Sequence, residues 1–229
     1  MLEATFTPQP ASLRKHVEAA LRKAIVSGEL RPGAHLVDRV LCESLNISRT
    51  VLREAQRSLE AEGLLVIHQN RGCFVRSLTV EDAAYIYEVR AALEPLAGQA
   101  FALRASQREM AELEAVFEEF REAAKDAARP QLIEIKDRFY EILLRGGKNP
   151  FVERMMQLVL NQIGQYRGTS MSDPGRLPST VKEVAEIVDA ISRRDSDATW
   201  QACLRHVRQA EKAAMRVLQH TPPPPPTSR

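Results

Sequence analysis

Cysteine is scarce in this 229-residue chain, and the three that occur, Cys42, Cys73 and Cys203, lie far apart with no paired metal-ligand spacing. An odd number cannot all pair within one chain, so neither a disulfide scaffold nor a zinc ribbon is expected and buried or incidental thiols are the default. Nothing near Cys73 in sequence points to a thiolate of lowered pKa, which argues against a redox sensor. Long apolar runs are missing as well: no N-terminal stretch resembles a signal-peptide core and no segment is long enough to span a bilayer, so a cytoplasmic protein without membrane contact is expected. There is no phosphate-cradling glycine-rich loop, no nucleophile elbow and no clustered catalytic His, Cys or carboxylate pattern, which leaves an enzyme reading little to stand on. The chain also lacks charge of one sign, with a net +2.

What is present divides into two parts. The length suits two ordinary domains, and 44% hydrophobic residues suffice for packed cores. The first 77 residues hold 11 basic against 8 acidic side chains, whereas the remainder holds 21 against 22, so the small positive excess sits in the N-terminal part.

The run from Leu36 to Val75 carries the clearest signal. Asp38 can accept backbone N–H bonds at a helix start, and Val40, Leu41 and Leu45 recur on one face of a short helix. Asn46 tolerates the left-handed conformation of a tight turn, Ile47 is an apolar plug, and Ser48 can cap a second helix. In that helix Leu52, Ala55 and Leu59 fall at a buried spacing, while Arg49 and Arg53, four apart, share another face. Gly63 ends it; Leu64 to His68 and Cys73 to Ser77 read as strands joined through Gln69, Asn70, Arg71 and Gly72. Two helices, a tight turn and a two-stranded wing make a winged helix-turn-helix, which points to DNA. Arg49 and Arg53 can bind guanine edges or phosphate through their planar forks, Ser48 and Thr50 add short donors at the helix start, and Arg71 at the wing tip can reach a minor groove.

Three stretches, Ala24 to Gly33, Ile47 to Ala55 and Leu59 to Leu64, resemble the GntR regulators, and Val89-Arg90-Ala91-Ala92-Leu93-Glu94-Pro95 opens a second half that resembles the FadR branch with its FCD-type effector domain. The resemblance covers about residues 12 to 218 and implies operator contacts by Arg39, Arg49, Arg53 and the wing residues Gln69 to Gly72. The resulting expectation is a mainly α protein, with a winged helix-turn-helix over residues 1–77, an all-helical bundle for effector binding and dimerisation over 78–220, and a proline-rich tail over 221–229.

After a junction at Leu78 to Val80, helical periods place helices near 80–104, 107–126, 130–146, 150–168, 179–193 and 196–218. Thr79 and Asn149-Pro150 are good helix starts, and Gly146-Gly147 and Asp173-Pro174-Gly175 are strong breaks. The Pro222 to Pro226 run cannot donate backbone hydrogen bonds and is excluded from the fold.

The resembling effector domains often hold a divalent metal through one Asp and three His. At the corresponding positions this chain has Lys136 for the Asp, Tyr140 for the first His and Val184 for the next; His206 alone is retained. No metal and no other cofactor is therefore expected. Asp137 and Glu141 are also four apart, but one residue around a helix is about 100°, so that pair faces away and reads as solvated surface. Lys136, Tyr140, His206 and an inward Arg90 are four donors without an acid, which describes an anion pocket for a small carboxylate or acyl-type effector. The alternative is that Lys136 points to water and Val184 marks a more apolar pocket. Asn161 and Gln165, which interrupt an apolar helix, are weaker lining candidates and can equally be satisfied core amides.

The mechanism expected from this set is a homodimer joined through its helical domains, each winged domain reading one half-site of a palindromic operator, with ligand altering the spacing of the readers and relieving repression. The competing reading is an architectural or protein-interaction module that binds DNA without sequence preference and without an effector.

Overall fold

The computed structural model describes residues 10–170 and 175–220, and the chain divides into two compact units, Met1–Ser77 and Leu78–Arg229. Asp173 and Pro174 of the expected Asp173-Pro174-Gly175 break, and the proline tail, lie outside the described residues.

In the first unit α1 (Pro10–Val26) precedes β1 (His35–Leu36), α2 (Asp38–Leu45), α3 (Arg49–Ala61), β2 (Leu65–His68) and β3 (Gly72–Val75). The turn between α2 and α3 follows from its residues. Asn46 ends α2 in the left-handed conformation at φ 51°, and Ser48 starts α3 with its Oγ accepting from the Val51 amide at 3.3 Å. Leu52, Ala55 and Leu59 are fully buried, packing with Val17, Leu21 and Ile25 of α1 and with Leu65, Cys73 and Val75 of the sheet.

Three details differ from the sequence reading. The sheet has three strands in the order β1-β3-β2, all antiparallel, because His35 and Leu36 pair with Phe74 and Cys73. A two-residue strand has no alternation to reveal it. Asp38 is not the cap of α2; the cap position is Val37, and the Asp38 carboxylate instead accepts from Gln56 Nε2 of α3 at 3.0 Å. That long-range bond to a buried amide ties α2 to α3, a partner sequence spacing does not show. Val40 and Leu45 are exposed, and of the expected apolar face of α2 only Leu41 packs on the core.

The second unit is helical throughout its described residues: α4 (Val80–Arg104), α5 (Gln107–Ala123), α6 (Arg129–Gly146), α7 (Pro150–Ser170), α8 (Arg176–Ser192) and α9 (Ser196–His220). Thr79 and Ser106 open α4 and α5 with reciprocal capping boxes to Asp82 and Glu109. The longest helices, α4 and α9, lie against one another, and α8, α6 and α7 pack around them. Gly98 permits the close approach of α4 and α9, since a Cβ there would lie 2.6 Å from Cys203 Sγ. Its core gathers Tyr87, Phe101, Leu113, Phe139, Tyr140, Met156, Ile163, Ile187 and Val207 from all six helices.

Candidate functional site

Two groups of side chains carry chemistry, one in each unit. On the first unit, α3 buries its apolar face and turns Arg49, Thr50 and Arg53 outward, with Ser48 exposed at its start. Arg49 has no hydrogen-bond or ion-pair partner among the described residues. Arg53 rests loosely on Asp38, Nε to Oδ2 3.5 Å, with its side chain 66% exposed. Arg39 on α2 is exposed too, 3.5 Å from Glu43. Such exposed pairs hold their charges weakly and release them readily to a polyanion.

The wing is a short, braced hairpin. Asn70 at φ 67° and Gly72 at φ 95° make the turn, leaving Gln69, Asn70 and Arg71 exposed at its tip. A Cβ at Gly72 would lie 2.7 Å from His35 Nε2. His35 stacks on Phe74, centroids 4.6 Å apart, and His68 meets the same ring edge-on. Glu60 reaches back from α3 to accept from the Ile67 amide at 2.8 Å, fixing the hairpin to the helix. Arg39, Ser48, Arg49, Thr50, Arg53 and the Gln69 to Gly72 tip are thus all solvent-facing on the winged unit.

In the second unit the charges are inside. Arg90 on α4 is 1% exposed and donates from Nε to Glu94 Oε2 at 2.7 Å and from Nη2 to Tyr140 Oη at 2.7 Å; Tyr140 in turn donates to Glu94 Oε1 at 3.2 Å. Burial alone would push the Glu94 carboxyl up, but the adjoining guanidinium outweighs it and holds the carboxyl below its usual range. A second chain of bonds runs along α8 and α9. Arg176 grips Glu183 with two parallel bonds, 2.7 Å and 2.9 Å, and Glu183 Oε2 lies 2.7 Å from His206 Nδ1. His206 is buried at 1% exposure, and its Nε2 has no hydrogen-bond partner among the described residues. Burial lowers its pKa to about 4, with the Lys136 ammonium acting in the same direction against the opposing pull of Glu183.

Glu94, Lys136, Tyr140, Val184, Cys203 and His206 line one enclosed cavity, with Phe120 and Phe139 among its apolar walls. Its free volume is about 10 Å³, close to the room one water needs. Lys136 also lies over the Phe120 ring, 6.0 Å from its centroid. Of the proposed effector residues, Lys136, Tyr140 and His206 therefore meet in one cavity. Arg90 stands behind it, against Glu94 and Tyr140. Asn161 is buried on α7 and accepts from Gln157 at 3.3 Å, away from this cavity; the Gln165 side chain is outside the described residues.

The premise of four donors and no acid is overturned. Glu94 lines the cavity and is already paired with Arg90, and Glu183 is paired with His206. The Arg90–Glu94 pair had a signal, the i,i+4 spacing of opposite charges on a helix. The Glu183–His206 contact had none, because it joins two helices, and Arg176 and Glu183 are seven apart on α8, outside the three- and four-residue spacings that pair charges on a helix.

The donor set does not fit a divalent metal. An ammonium, a phenol hydrogen-bonded on both sides and a valine stand beside the one imidazole, and among the described residues no three His, Cys, Asp or Glu side chains gather as a metal site. Burial raises the thiol pKa of Cys73, to about 12, and that of Cys203, so neither is a ready thiolate.

A winged helix-turn-helix with an outward arginine pair, in one chain with a helical domain enclosing a small cavity, defines a DNA-binding regulator. The model for "Bacterial regulatory proteins, gntR family" matches residues 13–75, and the FCD domain model matches residues 85–209. The chain belongs to the GntR family and carries an FCD domain; it is a transcriptional regulator and not an enzyme. It is 28% identical over 213 residues to the galactonate operon transcriptional repressor of Escherichia coli, covering 84% of this chain and 92% of that one. It is 30% identical over 184 residues to the Nta operon transcriptional regulator of Aminobacter aminovorans, covering 80% and 86%. A solved structure of a putative GntR regulator from Rhodococcus sp. RHA1 matches with a TM-score of 0.75 at 27% identity, covering 92% of this chain and 100% of that one. No helix among the described residues is long and apolar enough to cross a membrane.

Proposed function

We propose that this protein is a cytoplasmic, metal-free, ligand-responsive repressor that binds a palindromic operator as a homodimer and is controlled by a small carboxylate in the cavity of its helical unit. The observation that carries the DNA half is the outward pair Arg49 and Arg53 on α3, beside the free donors of Ser48 and Thr50 at the helix start. A fork-shaped cation there matches the O6 and N7 edge of guanine in a major groove. The Arg71 wing tip supplies a second, flanking contact. Repression is supported by the similarity to the galactonate operon transcriptional repressor.

Dimerisation through the helical unit is supported by an unpartnered apolar face. Tyr85, Val89, Leu96 and Leu103 recur along one side of α4 and are exposed, and α7, which packs on α4, exposes Phe151 and Met155. Exposed apolar patches of this kind favour a self-complementary contact. Control by ligand is supported by the cavity itself. Beyond a single water it has no room, so a carboxylate binds a more open arrangement, and it shifts the dimer by as much as it prefers that arrangement.

The test selects duplexes from a random double-stranded library at a stated salt concentration. The expected result is a two-fold symmetric site bound by two chains at least about 10³-fold more tightly than scrambled DNA. Arg49→Ala should lose roughly 10- to 100-fold of affinity for that site while its melting temperature stays put. Selection without any enriched sequence would favour the architectural reading instead.

A further inference from the structure

A third arginine faces outward from α3. Arg57 is exposed, and it has no hydrogen-bond or ion-pair partner among the described residues. Arg49, Arg53 and Arg57 follow one another at four-residue steps. At about 100° and 1.5 Å per residue, Arg57 lies roughly 80° around the helix from Arg49 and about 12 Å further along its axis. Leu52, Ala55, Gln56 and Leu59 form the buried side of α3, and the same arithmetic sets Arg57 nearly opposite that side, close to the line of Thr50. Its guanidinium therefore springs from the part of the helix furthest from the core of the unit.

The fold makes no use of this charge. Of the two carboxylates within a turn of it, Glu60 is committed to the Ile67 amide at 2.8 Å, and Glu54 forms no ion pair with Arg57. The last turn of α3 holds no basic residue, so Arg57 lies before the stretch in which a cation would offset the helix dipole. A recognition helix touches base edges with its N-terminal residues, and a major groove is about 12 Å wide. With Arg49 and Arg53 at base edges, a guanidinium roughly 12 Å beyond the helix start has crossed the floor of the groove and stands at its rim, where the phosphates are.

We propose that Arg57 contacts a backbone phosphate at the rim of the groove that α3 enters, adding affinity and salt dependence but no sequence information. This rests on α3 being the reading helix. The phosphate accepts charge-assisted hydrogen bonds from the guanidinium, and the neutralised phosphate releases its counterion. A phosphate is satisfied by a point charge as well as by a fork, which a guanine edge is not, so lysine can replace this arginine but not a base-reading one.

The test measures affinity of the whole chain for two duplexes of equal length, the one enriched by the library selection above and a scrambled one, across a range of salt concentrations. Arg57→Ala should weaken both by a similar factor, about 3- to 10-fold per bound chain near 0.1 M salt, and lower the slope of log affinity against log salt by about 1 per chain. Arg57→Lys should restore the slope and most of the affinity. Arg108→Ala, which removes an exposed charge from the helical unit, should leave the slope in place. An unchanged slope in Arg57→Ala overturns the proposal, and so does an equal fall in Arg108→Ala, which would report net charge rather than contact. A loss confined to the enriched duplex and not rescued by lysine would make Arg57 a base reader and overturn the phosphate assignment. Selection that enriches no sequence overturns the operator reading by itself, while the slope on scrambled duplex still judges the contact at Arg57.

Discussion

Arginine does opposite work in the two units. On the winged unit Arg49, Arg53, Arg39 and Arg71 are exposed, with at most loose contacts of 3.5 Å to a neighbouring carboxylate. In the helical unit Arg90 and Arg176 are nearly sealed from solvent, and each is met by a carboxylate at 2.7 Å. The first set contributes little to folding and is available to a partner; the second is consumed in holding the fold. The same residue type thus changes meaning with burial, because desolvation makes an unpaired buried charge far costlier than an exposed one.

The strongest way to break this contrast is to remove one member of each kind. Glu94→Ala leaves Arg90 buried with only Tyr140 for company, and should destabilise the helical unit by about 3–5 kcal/mol. That corresponds to a fall in melting temperature of roughly 10 °C in calorimetry of the whole chain. Arg49→Ala should change stability by less than about 0.5 kcal/mol. A double replacement, Arg90→Met with Glu94→Leu, should recover much of the loss, because it removes both charges together. Equal stability of Glu94→Ala and the parent protein would mean that the pair is not sealed from water and that the two units do not differ in this respect.

How much of this was legible depended on the same distinction. The winged unit could be read because its signals are local: Leu52, Ala55 and Leu59 at helical spacing, Asn46 and Ser48 at the turn, Gly63 at the stop. Where it misled, a long-range partner decided, as when Gln56 rather than the start of α2 claimed the carboxylate of Asp38, or when β3 recruited His35 and Leu36. The helices of the second unit were placed within a few residues of where they fall, and Lys136, Tyr140 and His206 do share one cavity. Its electrostatics were not legible. Glu183 carried no role in the sequence reading, since nothing in one-dimensional spacing says that it reaches His206 on another helix, and its grip by Arg176 spans seven residues of α8. Buried charge networks cross between elements, and periodicity reports only one element at a time.

A middle-sized effect sharpens the comparison through pH. His206 has its folded pKa lowered to about 4 by burial and by the positive field of Lys136, with Glu183 and Glu94 opposing, whereas an unfolded histidine titrates near 6.5. Between those values the unfolded chain binds the additional proton, so the stability this neutral histidine confers is complete above about pH 6.5 and drains as pH falls toward 4. By pH 4.5 the loss is on the order of 2 kcal/mol. Glu94 and Glu183, whose folded pKa values are lowered, add a further loss only below the ordinary carboxylate range. Melting temperatures of the parent and His206→Gln measured from pH 7.5 to 4.5 should therefore converge as the pH falls. Parallel curves would show that the imidazole is not buried as neutral base.

The smallest expected effect lies back on the surface and separates the exposed arginines from each other. Arg39 sits on α2, paired loosely with Glu43 on its own helix, whereas Arg49 projects from the start of α3, where a groove-reading helix meets bases. A residue that touches phosphate alone carries no sequence information, but it adds a released counterion to the salt dependence. Arg39→Ala should weaken binding to the selected operator and to scrambled DNA by similar factors, and lower the slope of log affinity against log salt by about 1. Its Glu43 partner makes the net change smaller than for a free guanidinium, because some of the phosphate attraction is already offset on the same helix. Arg49→Ala should instead fall hardest on the operator and leave scrambled DNA nearly unchanged. If Arg39→Ala discriminates between the two duplexes as strongly as Arg49→Ala, then α2 also reads bases, and the reading surface extends beyond α3 and the wing.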